Sequence, residues 1–348
     1  MKSLIKIFLL SSVIVLASCS DELIGTEKPN TPVENFEYFW KTLDSRYGLF
    51  EVKKIDWQHV YDSYRPLVTE ATTDAELYEI FKQMVNLLND NHVNLYPTNG
   101  ALPAYPGGLL RTRNGITEIT KVQEDYDAEV VKKYLGNYKQ RTWNLATGML
   151  SDDVGYLSVK GTDSRKEVSE RMNDIIDEFA NAKAVVVDIR GFYGGSDAVS
   201  QLLAGHFANT TKLYMTTRKR NGPKHSDFTE PESWYVSPQG KSQFTKPVIV
   251  LTSRFSQSAA ETFALAMNEL ENVTLLGDTT AGGYSDNPTT EMYNGWMFSF
   301  SVGDFRAADG KSYEGIGTAP DVRMVNRKED LLSGRDPVLE KAIELLTK

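Results

Sequence analysis

The chain is poor in the residues that build cross-links, and it lacks any excess of positive charge. One cysteine among 348 residues, Cys19, excludes an intramolecular disulfide and any metal site made of several thiolates. Lysine and arginine total 38 against 47 acids, a net charge of -9, which argues against nucleic acid as a partner because phosphate binding needs clustered cations. No apolar run reaches the roughly 20 residues that a membrane-spanning helix requires. The glycines fall in neither the Rossmann nor the Walker spacing, so nucleotide binding is rejected, and no cofactor or metal is expected. Internal repeats are absent. Histidine is also scarce, at four residues, so a reaction needing an imidazole has few candidates.

Within those bounds the pattern is that of an α/β protein. Val33, Phe36, Phe39, Trp40, Leu43 and Tyr47 recur at helical spacing. A second helix starts behind Asp56 as N-cap, and a third opens at Thr73-x-x-Glu76 and ends in Asn89-Asp90-Asn91-His92. Residues 33–96 therefore read as a helical subdomain and 97–153 as a weakly patterned connecting segment. From Val154 strands and helices alternate: strands at 154–159, 184–189, 212–217, 247–253 and 273–277, with helices at 165–180, 197–207 and 259–270. Such alternation predicts a mostly parallel sheet covered by helices over 154–348. Residues 296–302 add one further alternating strand.

Ser258 stands where the strand Val248-Ile249-Val250-Leu251 gives way to the helix beginning Ala259-Ala260-Glu261. A serine at a strand's carboxyl end presents its hydroxyl beside the free N–H groups of a helix start, which suits attack on a carbonyl and stabilisation of the resulting oxyanion. Ser258-x-x-Glu261 also matches a capping box, in which the hydroxyl only closes the helix. His92, at the end of the third helix, is the best-placed base, although a histidine there also suits the helix dipole. Asp188-Ile189-Arg190-Gly191-Phe192-Tyr193-Gly194-Gly195 joins a strand to a helix, and its glycines permit either a plain tight turn or N–H groups aimed into a crevice. Glu314 lies in the glycine-rich run Glu314-Gly315-Ile316-Gly317, where a surface carboxylate is the ordinary reading.

Two resemblances add to these residues. Lys2, Lys6, the apolar stretch 7–16 and Leu16-Ala17-Ser18-Cys19 resemble the signal and lipoprotein box of exported bacterial lipoproteins. That implies a signal peptide over 1–18, a lipidated Cys19, a tether over 19–32 and attachment to a membrane. The expected address is the cell envelope, at the outer membrane or surface of a Gram-negative bacterium. Asp90-x-His92, Asp188-x-Arg190 with Gly194-Gly195, Ser258-Ala259-Ala260-Glu261, Ala281-Gly282-Gly283 and Glu314-Gly315-x-Gly317-x-x-Pro320-Asp321 together resemble the C-terminal processing peptidase and tricorn-core superfamily of serine proteases. The resemblance implies a ClpP/crotonase-like spiral of strands and helices behind an N-terminal helical cap.

Processing peptidases use a serine and lysine dyad, but Gly283 occupies the lysine's position here, so the resemblance favours the tricorn-like branch. It then implies Ser258 as nucleophile, His92 as base and Glu314 as the acid that orients the ring. Ala259 with Gly194 or Gly195 would supply the oxyanion hole, and Ser256 is the fallback nucleophile. The connecting segment is too short for a complete PDZ domain, which leaves specificity to the cleft between cap and core, with the 218–224 loop at its rim. The expected activity is hydrolysis of peptide bonds in peptides or unfolded polypeptides. The alternative is a non-catalytic ligand- or peptide-binding lipoprotein on the same fold. An esterase is disfavoured because Ser258 lacks the Gly-x-Ser-x-Gly elbow.

Overall fold

The computed structural model describes residues 29–98, 100–108 and 125–348. Cys19, the signal sequence and most of the tether lie outside the described residues.

The N-terminal part is helical for the reasons its sequence suggests. Helix α1 (Pro32–Arg46) starts behind Thr31, whose hydroxyl accepts the Glu34 N–H, and has proline in its first turn. A short α2 (Phe50–Lys53) is followed by α3 (Trp57–Tyr64), capped by Asp56. In α4 (Asp74–Leu88) both arms of the Thr73 and Glu76 capping box form, and the helix stops at Asn89 in a left-handed conformation, φ 45°. The apolar faces of α1 and α4 meet through Phe39 and Phe81, with ring centroids 4.4 Å apart.

These helices do not close a core alone. Their aromatic faces pack on Trp296, Phe298 and Phe300, which come from the other end of the chain. Strand β1 (Asn94–Tyr96) pairs with β2 (Tyr105–Pro106) on one side. On its other side it pairs antiparallel with Met297–Ser299, giving a small four-stranded sheet.

The main sheet has seven strands. After α5 (Ala128–Lys132), strands β3 (Gly136–Gln140), β4 (Leu145–Ser151) and β5 (Val154–Val159) run as an antiparallel meander. The sheet therefore begins well before Val154, where the sequence pattern placed it: β4 alternates too weakly to announce itself, yet it is buried against β5. Helix α6 (Arg165–Glu178), β6 (Ala184–Asp188), α7 (Asp197–Gly205), β7 (Lys212–Lys219), β8 (Glu232–Val236), β9 (Val248–Thr252), α8 (Ala259–Asn268) and β10 (Val273–Gly277) follow. Strands β11 (Thr289–Glu291), β12 (Met297–Ser299), β13 (Gly303–Ala307) and β14 (Val322–Arg323) precede α9 (Lys328–Leu332) and α10 (Pro337–Leu346). The order is β14-β10-β9-β6-β5-β4-β3, parallel from β14 to β5.

Strands β5, β6 and β9 are buried along their whole length, as expected of a parallel sheet covered on both faces. Val185 and Val187 pack with α6, α7 and α8, whereas Val186 between them packs with α10. The strand expected at 296–302 is shorter, Met297–Ser299, and this β12 joins the N-terminal sheet. The chain then turns, and a new strand, β13, starts at Gly303 and pairs with β7 in a separate three-stranded sheet, β13-β7-β8.

Candidate active site

Strands β6, β9 and β10 are parallel neighbours, so their carboxyl ends lie along one edge of the sheet, the usual place for chemistry in such folds. Ser258 sits there as the residue before α8, with φ 59° and ψ -120°. A serine with positive φ is costly, by roughly 1 kcal/mol or more, and persists only where the surroundings impose it. What imposes it is Glu261, fully buried, whose carboxylate accepts the Ser258 N–H at 3.1 Å. The capping box is thus half formed. Its carboxylate arm is a hydrogen bond, but the Ser258 hydroxyl makes no capping bond, and the Glu261 N–H goes to the Ser258 carbonyl at 2.7 Å. The hydroxyl remains available.

Glu261 also accepts from Thr280 Oγ1 at 2.6 Å and from the Gly282 and Gly283 N–H groups, each at 2.7 Å. Burial pushes its carboxyl up to about 7 against the pull of these donors. The loop 281–284 then gathers the other two segments. Asn91 Nδ2 donates to the Ala281 carbonyl at 3.0 Å, bringing in the residue next to His92. A Cβ on Gly283 would stand 3.4 Å from Gln257 Cγ and 3.5 Å from Asn91 Cβ, so the neighbours of Ser258 and of His92 meet across this glycine. Gly315 N–H donates to the Gly282 carbonyl, and Tyr284 N–H donates to Glu314 Oε2, both at 2.7 Å. One loop therefore brings the segments of Ser258, His92 and Glu314 together.

His92 is buried, with its backbone pinned at both ends. Its N–H donates to Asp90 Oδ1 at 2.8 Å and its carbonyl accepts from Ser299 Oγ at 2.7 Å. Tyr47 holds the other Asp90 oxygen at 2.9 Å. The ring is less committed: Nδ1 has no hydrogen-bond partner among the described residues. Burial lowers its pKa, opposed by Asp90 and Asp286, so the imidazole is neutral at pH 7 and able to take a proton.

Glu314 is buried and makes no hydrogen bond to that ring. Its Oε1 lies 2.9 Å from Lys53 Nζ, and burial pushes its carboxyl up to about 8, with Asp90 adding to the rise and Lys53 opposing it. The Lys53 ammonium also donates to the Asn89 carbonyl at 2.8 Å. It thereby links the loop leading to His92 with the turn bearing Glu314. Sequence reasoning missed Lys53, because a lysine beside Lys54 in a short helix carries no signal of burial. The helical spacing of Tyr47 marks it as a core residue and gives no sign that its hydroxyl holds Asp90.

Ala259 opens α8 directly after Ser258, and the two glycines follow β6. Gly194 has φ 131° and Gly195 φ 146°, conformations that favour glycine. A Cβ on Gly194 would be 3.1 Å from Ser258 Cβ, and Gln257 N–H donates to the Phe192 carbonyl, which fastens the turn to the serine segment. Among the described residues the N–H groups of Ala259, Gly194 and Gly195 have no acceptor. Beneath them Arg190 is fully buried between Asp188, at 2.7 Å, and Asp336, at 2.9 Å.

One expectation fails. Ser256 cannot serve as the fallback nucleophile in this arrangement: its buried hydroxyl donates to the Ile189 carbonyl at 2.8 Å and accepts the Ser253 N–H at 3.1 Å. The arginines of the 218–224 loop are engaged within the chain. Arg218 pairs with Asp304, and Arg220 donates to the carbonyls of Tyr47 and Ser45, clamping the hairpin to α1. Of the other histidines, His206 is buried with Nδ1 2.9 Å from the Leu202 carbonyl, and His225 lies at the surface against Asp44.

A parallel sheet covered by helices, with a strained serine at the entry of α8, marks the class. The profile of Peptidase family S41 matches residues 153–324, and that of the Tricorn protease C1 domain matches residues 29–86. A crystal structure of a Parabacteroides merdae protein assigned as a peptidase superposes with a TM-score of 0.78 at 30% identity, covering 92% of this chain and 98% of that one. The chain belongs to peptidase family S41. More particularly, it is 28% identical over 177 residues to the carboxy-terminal processing protease CtpA of Bacillus subtilis, covering 50% of this chain and 36% of CtpA. It is 29% identical over 169 residues to the Tricorn protease of Thermoplasma volcanium, covering 48% of this chain and 15% of that protein. The chain thus spans well under two thirds of these curated relatives' length.

Proposed function

We propose that the protein is a serine peptidase that hydrolyses peptide bonds in peptides or unfolded polypeptides, with Ser258 as nucleophile, His92 as base and Glu314 as the supporting acid. The observation that carries this reading is the Ser258 backbone at φ 59°, held there by Glu261 while the hydroxyl is left uncapped. A helix cap alone would not need that strain. In the reaction Ser258 Oγ attacks the carbonyl carbon while His92 takes the hydroxyl proton. The carbonyl oxygen becomes an oxyanion received by the N–H groups of Ala259 and of Gly194 or Gly195. The C–N bond breaks, His92 passes its proton to the leaving amine, and water then hydrolyses the serine ester.

Glu314 acts through the electrostatics of the site, since its oxygens are held by Tyr284 and Lys53 rather than by the ring. Its negative charge, when present, stabilises the imidazolium formed in the first step. Membrane tethering through a lipidated Cys19 at the cell envelope is part of the same proposal and rests on the signal-like residues 1–19. No helix among the described residues is long and apolar enough to cross a membrane.

The test is labelling of the chain from Ser20 onward with a fluorophosphonate probe. Wild type should label, Ser258→Ala should not, and His92→Ala and Glu314→Gln should label far more slowly. A well-folded wild type that neither labels nor degrades casein overturns the reading in favour of a ligand-binding protein on this fold.

A further inference from the structure

Two aromatic side chains stand in water beside the glycine turn. Trp143 is 90% exposed and Tyr193 51% exposed. Large aromatics left bare next to a crevice commonly mark a binding surface. They border a cavity of about 700 Å³ that is also lined by Thr142, Asn144, Lys160 and Gly191.

Its walls are built onto the candidate active site. Tyr193 directly precedes Gly194, the glycine packed on Ser258. Asp163 accepts hydrogen bonds from the Thr142 hydroxyl and from Asn144 Nδ2. The adjacent Thr162 abuts Gly195 and accepts the Ser196 N–H at 2.9 Å. The β3–β4 turn carrying Trp143 and the turn carrying Gly194 are thereby fastened together through residues 162 and 163. Lys160 lines the same cavity, and its ammonium has no hydrogen-bond or ion-pair partner among the described residues. An unpaired cation between aromatic walls, in an acidic protein, selects for a carboxylate.

We infer that this cavity is a substrate subsite: it takes a large apolar side chain of the bound polypeptide against Trp143 and Tyr193, with a carboxylate of the same segment on Lys160. The inference rests on the peptidase reading, and it names a source of substrate specificity for it. The carboxylate is either the end of the substrate chain or a neighbouring acidic side chain; Lys160 reads both by the same chemistry.

The test uses the Ser258→Ala chain, so that a bound peptide is not consumed, and follows the anisotropy of a dye-labelled octa-alanine peptide carrying one phenylalanine at its penultimate position. Three forms are compared: the free acid, the carboxamide, and a carboxamide with glutamate beside the phenylalanine. Trp143→Ala should weaken binding of the free acid about tenfold, the scale of one aromatic packing partner, and Trp143→Phe should restore most of it. Replacing the peptide's phenylalanine by alanine should cost as much, with no further loss in Trp143→Ala. Lys160→Met should abolish the preference for whichever carboxylate form binds tighter than the plain carboxamide. Equal affinity of the phenylalanine and alanine peptides for the parent chain, or binding unaffected by Trp143→Ala, overturns the subsite. Fluorophosphonate labelling of the wild type reports separately on the peptidase reading, so the two can fail independently.

Discussion

Gly282 and Gly310 share one backbone conformation, φ 80° and φ 79°, in opposite surroundings. A Cβ on Gly310 would meet nothing within 4 Å, whereas a Cβ on Gly282 would lie 2.8 Å from Ile316 N and 3.0 Å from Gly315 C and Gly317 N. Alanine at either position bears the left-handed cost of about 1–2 kcal/mol, offset by roughly 0.4–1 kcal/mol of lost freedom in the unfolded chain. Gly310→Ala should therefore destabilise by no more than about 1.6 kcal/mol. In Gly282→Ala the obstacle is backbone, which cannot rotate aside, so the turn bearing Glu314 must move off the 281–284 loop. That shift strains the Gly315 N–H bond to Gly282 and the Tyr284 N–H bond to Glu314, both 2.7 Å and inside the protein, at about 1 kcal/mol or more each. The expected total is about 2–4 kcal/mol.

Urea denaturation of both variants against wild type measures the difference, and the shared φ cancels the conformational term. Fluorophosphonate labelling of the same samples should be near wild type in Gly310→Ala and at least tenfold slower in Gly282→Ala. If the two variants are equally stable and label alike, the loop 281–284 does not organise the site and the reasoning fails.

Three further outcomes are expected. Glu314 has its carboxyl raised from 4.5 to about 8, so its stabilising contribution is complete below about pH 4.5 and is lost as pH rises through 8. Glu314→Gln should accordingly flatten the fall of urea-measured stability between pH 5 and 8, a slope of at most about 1.4 kcal/mol per pH unit for one proton. Lys53→Met removes the cation that opposes this rise. The rise of the labelling rate that accompanies Glu314 ionisation near pH 8 should then move to higher pH, and an unmoved rise would show that Glu314 does not govern it. Arg190→Met strands the buried carboxylates of Asp188 and Asp336 and should cost about 3–5 kcal/mol, read by the urea midpoint; a loss below 1 kcal/mol would contradict the assigned burial.

The local chemistry of this protein was written in its sequence. Thr73 and Glu76 closed α4 as their spacing required, Asn89 ended it, and the apolar runs at β5, β6 and β9 became buried parallel strands. Ser258 was legible because a serine between a strand and a helix can occupy few places in an α/β fold. Tertiary structure alone decided how that serine is used. Its hydroxyl is free because the Glu261 N–H, the donor it would have capped, goes to the Ser258 carbonyl, while the Glu261 carboxylate is held in the core by Thr280, Gly282, Gly283 and the Ser258 N–H. The pairing of Lys53 with Glu314, the commitment of Ser256 to a carbonyl and the placing of β12 and β13 in two different sheets depend on partners up to some 260 residues away. Periodicity and spacing report what a residue's near neighbours impose. A buried ion pair or a strained φ is set by groups that only the folded chain brings within hydrogen-bond reach.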